Sequence, residues 1–213
     1  MQNPSVVAVT QNAVHYTTHF AYLFNRARSK VHWALVLGAL VLADPGHLSN
    51  AVGAVLVGLG EGLRLWASGY LDKAGGLCTS GPYAHVRHPL YLGTMSMVLG
   101  FAVLINHWQH WYLTPLLLAL VVAFYGLQIV LEERSLHRYY GPEFQDYARS
   151  VPALLPRLRR PSGDPGTGFR WAQVLRNREH LRALWALFAV AIFEVKTELM
   201  QAGLSWLSPL THH

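Results

Sequence analysis

The sequence predicts an all-α protein: a polytopic integral membrane helical bundle with four or five transmembrane helices. Three observations carry that expectation. Of 213 residues, 52% are hydrophobic and 13% are charged, about half the charged share of a soluble domain. Long apolar runs recur with polar segments between them. Lys and Arg gather in alternate connections, as the positive-inside rule requires. The formal charge of +6 is therefore read as a membrane signal, with no nucleic-acid partner. Cys78 is the only cysteine, so no internal disulfide can form.

Taken in order, residues 1–30 are mixed and suit an interface. Arg26, Arg28 and Lys30 precede the first apolar run, 31–43, and assign the N-terminus to the cytoplasm. That run is read as a first helix, although a span takes about 20 residues. Asp44-Pro45-Gly46 reads as a turn. A second helix covers 48–69. Its Glu61 and Arg64 share a face with Val57 and Ser68. Charges at that depth face a bundle interior or a site, while Gly53, Gly58, Gly60 and Gly62 suit close helix packing. A polar loop over 70–88 follows.

Pro89 opens a third helix, 89–106. The turn "NHWQHW" carries the interfacial residues Trp108 and Trp111. A fourth helix starts near Tyr112. Its apolar part ends at Leu131, but the helical pattern runs to Tyr140, where Gly141-Pro142 stops it. This helix is expected to project into the cytoplasm. Residues 159–168, "RRPSGDPGTG", read as a linker. The run 183–193 is read as a short fifth span or an in-plane helix.

Two segments carry chemistry. "GPYAHVRHPLYLG", 81–93, sets an aromatic, two histidines and an arginine before the third helix. That helix N-terminus attracts an anion, and Tyr83 and Tyr91 offer ring faces to a cation. "EERSLHRYYGPEFQDYARSVP", 132–152, continues the fourth helix. There Tyr125, Gln128, Glu132, Ser135 and Tyr139 form a polar stripe, and adjacent Glu132 and Glu133 call for a cation such as Arg87 or Arg64. Together these segments suit a ligand of mixed charge at a membrane border. S-adenosylmethionine and a nicotinamide dinucleotide both meet that description.

These segments also carry a resemblance. Arg87-His88-Pro89-x-Tyr91, the pair Glu132-Glu133, the Phe144–Tyr147 segment and the "VP…P" of 151–156 resemble the membrane methyltransferase superfamily of isoprenylcysteine carboxyl methyltransferases and phospholipid N-methyltransferases. So does "LRLWASGYL", 63–71, and the likeness spans 58–156. The resemblance implies a cytosolic-side S-adenosylmethionine pocket formed by Tyr83, His85, Val86, His88, Tyr91, Glu132 and Glu133. Arg87 would orient a carboxylate acceptor. Glu133, His85 or His137 are candidate bases for an amine or phenol. The acceptor would be a lipid or another hydrophobic molecule, an isoprenylcysteine carboxylate among them. Residues 1–160 would form the membrane methyltransferase core. Residues 161–213 would form a linker and a short membrane or interfacial helix. The setting is a prokaryotic inner membrane with a cytoplasmic active site, and no metal site is expected. NADPH-dependent sterol reductases share the C-terminal motifs but have many more spans. A non-catalytic scaffold is the third alternative.

Overall fold

The computed structural model describes residues 47–72, 76–105, 113–157 and 168–203. Among these residues the chain forms six α-helices and one short 3-10 turn, with no strand. We number them α1 (His47–Tyr70), α2 (Pro89–Ile105), α3 (Leu113–Tyr140), α4 (Pro142–Ser150), α5 (Trp171–Arg176) and α6 (Glu179–Gln201); the 3-10 turn is Gly81–Ala84. The all-α expectation holds. The expected helix over 31–43, the turn at 44–46, the "NHWQHW" turn and most of the 159–168 linker lie outside the described residues.

The closest pairing is α1 with α2. Gly60 lies against Gly93 and Gly53 against Gly100, so the helices run antiparallel with two contact points seven residues apart. A Cβ on Gly60 would stand 2.5 Å from the Gly93 carbonyl oxygen, so only glycine permits this approach. Among the described residues nothing lies within 4 Å of a Cβ placed on Gly58 or Gly62, so there Gly53 and Gly60 are the two of the four glycines that meet a neighbouring helix.

Helix α3 crosses α2 through Val98, Val121 and Tyr125, flanked by Tyr91 and Met95. Gly141, at φ 56°, turns the chain out of α3 in the left-handed region that glycine tolerates. Pro142 then starts α4 at a favoured first position. The sequence reading took Gly141-Pro142 as a stop alone, yet it joins two helices. Phe144, Tyr147 and Val151 pack α4 and its exit against Leu77, Leu136, Tyr140 and Ala148. Burial of each large side chain in this cluster contributes about 1.5–3 kcal/mol.

The run 183–193 is the middle of a 23-residue helix, α6. It packs on α1 at buried Thr197, while buried Phe193 meets Phe101 of α2 at 6.3 Å. Asn50 of α1 donates to Glu194 at 2.7 Å and to Thr197 at 2.8 Å. Among the described residues one helix, Leu48–Tyr70, is long and apolar enough to cross a membrane; Pro89–Leu104 is a shorter apolar helix.

Candidate active site

The two segments singled out by sequence meet at the start of α2. Arg87 is the centre of the junction. Its Nε and Nη2 donate to Glu133 Oε1 at 2.9 and 2.6 Å. Its Nη1 donates to the carbonyls of Ala148 and Val151 at 2.7 and 2.6 Å. Four of the five N–H bonds a guanidinium can make thus tie the α2 entrance to α3 and to the end of α4. His88 lies beside it, 5% exposed. Its Nε2 is 3.1 Å from the same Glu133 oxygen, and its ring stacks on Tyr91 at 5.5 Å and 19°.

Tyr91 lies half-buried at the next turn, against Tyr125 at 5.5 Å. Its hydroxyl donates to Glu132 Oε2 at 2.5 Å. The adjacent carboxylates therefore divide: Glu133 turns inward to Arg87 and His88, and Glu132 is exposed on the outer side with Tyr91 as donor. The cation expected for the pair is Arg87; Arg64 is engaged elsewhere. The polar stripe expected along α3 does not keep one environment. Tyr125 is buried, whereas Glu132, Ser135 and Tyr139 are exposed. Along the C-terminal half of α3 the inward row is Ile129, Glu133, Leu136 and Tyr140.

A strap of chain after α4 covers the approach to α2. The Pro152 and Ala153 carbonyls accept from the Arg87 and His88 backbone N–H at 2.8 and 3.1 Å. The Arg157 N–H donates to the His85 carbonyl at 2.9 Å, and His85 Nδ1 lies 2.7 Å from the Arg157 carbonyl. Arg157 in turn donates to the Ser150 carbonyl. The two backbone N–H groups just ahead of α2, where an anion was expected, are thus bonded within the protein. The polar loop expected over 70–88 contains the 3-10 turn that carries Tyr83. Val86 is buried in the frame at 2% exposure. His137 lies on the outer side, 3.2 Å from Gln145 Nε2.

Tyr83 has a different character. Its ring is buried and its hydroxyl has no hydrogen-bond partner among the described residues. Burial pushes the phenol well above its ordinary pKa, and the nearby Cys78, Glu132 and Tyr147 add to the shift. A buried hydroxyl left unmatched costs free energy, which makes Tyr83 the open polar group of this region. Its backbone carbonyl accepts from the Tyr147 hydroxyl at 2.7 Å. That contact was not anticipated from the sequence, although Tyr147 lay within the recognised motif. Burial likewise raises the pKa of Tyr147.

Sequence reasoning also missed the partner of Arg64. It placed Arg64 on one face with Glu61, and the two lie 3.9 Å apart. The strong pairing is with Glu179 at the start of α6: Arg64 Nη2 donates to both carboxylate oxygens at 2.9 Å. No helical spacing could reveal a partner 115 residues away. Among the described residues no three His, Cys, Asp or Glu side chains gather as a metal-ligand set.

This geometry lies largely within a recognised family stretch. Residues 48–143 match the phospholipid methyltransferase family. A nickel-cobalt-cadmium resistance protein of Alcaligenes xylosoxydans xylosoxydans is 35% identical over 139 residues, covering 59% of this chain and 63% of that protein. A cobalt-zinc-cadmium resistance protein of Cupriavidus metallidurans is 37% identical over 97 residues, covering 45% of this chain and 43% of the relative. A protein-S-isoprenylcysteine O-methyltransferase of Schizosaccharomyces pombe is 35% identical over 83 residues, covering 38% of this chain and 34% of the relative. The chain thus spans less than two thirds of the length of these curated relatives. No solved structure matches it. The family stretch contains Arg87, His88, Tyr91, Glu132 and Glu133 in their paired arrangement, and it supports the likeness to the superfamily of isoprenylcysteine carboxyl methyltransferases and phospholipid methyltransferases.

Proposed function

We infer that the protein transfers a methyl group from S-adenosylmethionine to a lipid or another hydrophobic acceptor at the cytosolic border of a membrane. One observation carries this reading. Within the family stretch, α2 and α3 are joined by two carboxylate pairings: Glu133 with Arg87 and His88, and Glu132 with Tyr91. The residues fit the cofactor. Glu132 is an exposed carboxylate suited to an ammonium or ribose hydroxyl. The ring faces of His88 and Tyr91 suit a cationic sulfur. Tyr83 offers a buried hydroxyl without a partner among the described residues. Tyr83, His88, Tyr91 and Glu132 are the residues that would hold it, with His85 at the rim.

When bound, the cofactor supplies an electrophilic methyl group on a positively charged sulfur. The chain's own work is then alignment and exclusion of water. Arg87 and Glu133 fix the first turn of α2, and so the direction of His88 and Tyr91. Arg87 retains one N–H for the carboxylate of an acceptor.

A membrane setting follows from the surface. Helix α1 is long and apolar enough to span. Large apolar side chains stand exposed on α1 (Val55, Leu59), α3 (Leu120, Leu127) and α6 (Leu184, Phe188), where lipid would cover them. We assign these helices to a polytopic bundle with its N-terminus and site on the cytoplasmic side of a prokaryotic inner membrane. Arg134, His137 and Arg138 at the polar end of α3 agree with that orientation.

The test is label transfer. Detergent-purified protein is incubated with S-adenosylmethionine labelled at the methyl group and with bacterial lipid extract or a farnesylcysteine analogue. Label is expected in the organic phase, with a raised KM for S-adenosylmethionine in Glu132→Gln. No label in any hydrophobic acceptor would overturn the reading.

A further inference from the structure

Residues 168–201 lie beyond the family stretch, which ends at residue 143. They nonetheless hold the start of α2 and the end of α1. Arg64 is the link. It is 9% exposed and Glu179 is 3% exposed. While Arg64 Nη2 grips Glu179, its Nη1 donates to the Leu90 carbonyl at 3.2 Å and to Thr94 Oγ1 at 2.5 Å. Those two acceptors flank Tyr91 in the first turns of α2. Glycine at 93 makes room for the Arg64 side chain, since a Cβ there would lie 2.6 Å from Arg64 Cγ. Arg182 donates to Glu179 Oε1 at 2.7 Å from the far side.

The same segment holds the end of α1. Asn177 Nδ2 donates to the Ser68 and Leu71 carbonyls at 3.1 and 3.0 Å. The Arg170 N–H donates to the Gly69 carbonyl at 3.0 Å. These bonds satisfy helix-end acceptors that would otherwise need water. The Phe169 ring occupies the space of a Gly69 side chain and meets Tyr70 edge-on at 6.0 Å. The Tyr70 ring in turn lies against Gly81, where a Cβ would stand 2.7 Å from it. Gly81, at φ 58°, opens the turn that carries Tyr83. Arg178 adopts φ 58°, a conformation uncommon outside glycine, and this bend lets α6 begin on Glu179.

We propose that the segment 168–179 is a positioning element for the active site, with Glu179 as its key residue. Through Arg64 it sets the register of the α2 turn bearing Tyr91; through Phe169 and Tyr70 it sets the turn bearing Tyr83. The inference rests on the methyltransferase reading for its consequence but not for its structural content. Glu179 touches no ligand in this account; it acts through Arg64. Binding of S-adenosylmethionine therefore depends on a part of the chain outside the family stretch.

The test separates positioning from bulk stability. Glu179→Ala strands a buried guanidinium and is expected to lower the unfolding temperature sharply. The double variant Arg64→Met/Glu179→Met removes both charges while keeping volume, which restores folding but not the tether to Leu90 and Thr94. Glu179→Gln keeps a hydrogen-bonding partner for Arg64 without the charge. In the folded double variant, backbone amides of residues 91–94 are expected to exchange at least tenfold faster than in wild type. Its dissociation constant for S-adenosylhomocysteine is expected to rise at least fivefold, with Glu179→Gln intermediate in both. Wild-type exchange and wild-type affinity in both folded variants would overturn the proposal. If the wild-type protein binds no S-adenosylhomocysteine, the methyltransferase reading fails. The exchange rates then decide the positioning claim alone.

Discussion

Replacing Arg87 by alanine is the sharpest test of how the site is framed. The side chain is 12% exposed, and its partner Glu133 is 26% exposed. Removal cuts two bonds to the carboxylate and two to backbone carbonyls. Losing one partner of a buried ion pair costs about 3–5 kcal/mol. The exposure of Glu133 pulls that part to the low end, and each orphaned carbonyl adds about 1 kcal/mol. A total near 5 kcal/mol, at about 2–4 °C per kcal/mol for a chain of this size, lowers the unfolding midpoint by roughly 10–20 °C. Tryptophan fluorescence during heating in detergent reads this directly. Arg87→Lys is expected to recover less than half, because an ammonium cannot reproduce the fork. In a double-mutant cycle with Glu133→Gln, the losses should overlap by about 1.5–3 kcal/mol. A midpoint within 2 °C of wild type for Arg87→Ala, or strictly additive losses, would refute the clamp.

Three further outcomes follow. Gly60→Ala forces a methyl to 2.5 Å from the Gly93 carbonyl and should cost about 1–3 kcal/mol. Gly58→Ala meets nothing within 4 Å among the described residues and should be neutral or stabilising by up to about 1 kcal/mol; equal midpoints for the two variants would contradict the packing described. Tyr91→Phe removes the hydroxyl that donates to exposed Glu132. It should leave the midpoint within about 2 °C while weakening S-adenosylhomocysteine binding roughly tenfold by calorimetry, a loss of about 1.4 kcal/mol. Alkaline pH tests the buried phenols. Tyr83 and Tyr147 are held above their ordinary pKa when folded, so above about pH 10 the unfolded chain binds fewer protons than the folded one. Stability is then fully present below pH 10 and falls as pH rises, by about 1.4 kcal/mol per unit for each phenol. Tyr147→Phe loses its bond to the Tyr83 carbonyl, about 1 kcal/mol at pH 8, yet should show a shallower decline between pH 10 and 11 in thermal scans.

Much of the site was legible because its parts are local. Pro89 announced the start of α2 through its fixed φ. The two segments 81–93 and 132–152 were paired by their positions at adjacent helix ends, and they do meet at Arg87 and Glu133. What the sequence hid is long-range. Glu132 and Glu133 are chemically alike, and only the rotation of α3 sends one inward and the other out. Among the described residues Gly53 and Gly60 meet a helix and Gly58 and Gly62 do not, because helix phase decides which face that neighbour meets. The Gly141-Pro142 pair gave the signal for a new helix, since proline favours a first helical position; it was read only as a stop. Glu179 gave no signal at all: a counter-ion from the far end of the chain leaves no periodicity behind.

The central claim is a methyltransferase pocket at the start of α2. The most direct measurement is the thermal shift of the detergent-purified protein with S-adenosylhomocysteine and, separately, with NADPH. At 100 times its dissociation constant a ligand stabilises by about 2.7 kcal/mol, an upward shift of roughly 5–11 °C. The account expects that shift with S-adenosylhomocysteine, a smaller one in Glu132→Gln, and none with NADPH. A shift with NADPH alone would contradict it and place the chemistry with the reductases. No shift with either ligand would leave the helix junction a scaffold without a pocket.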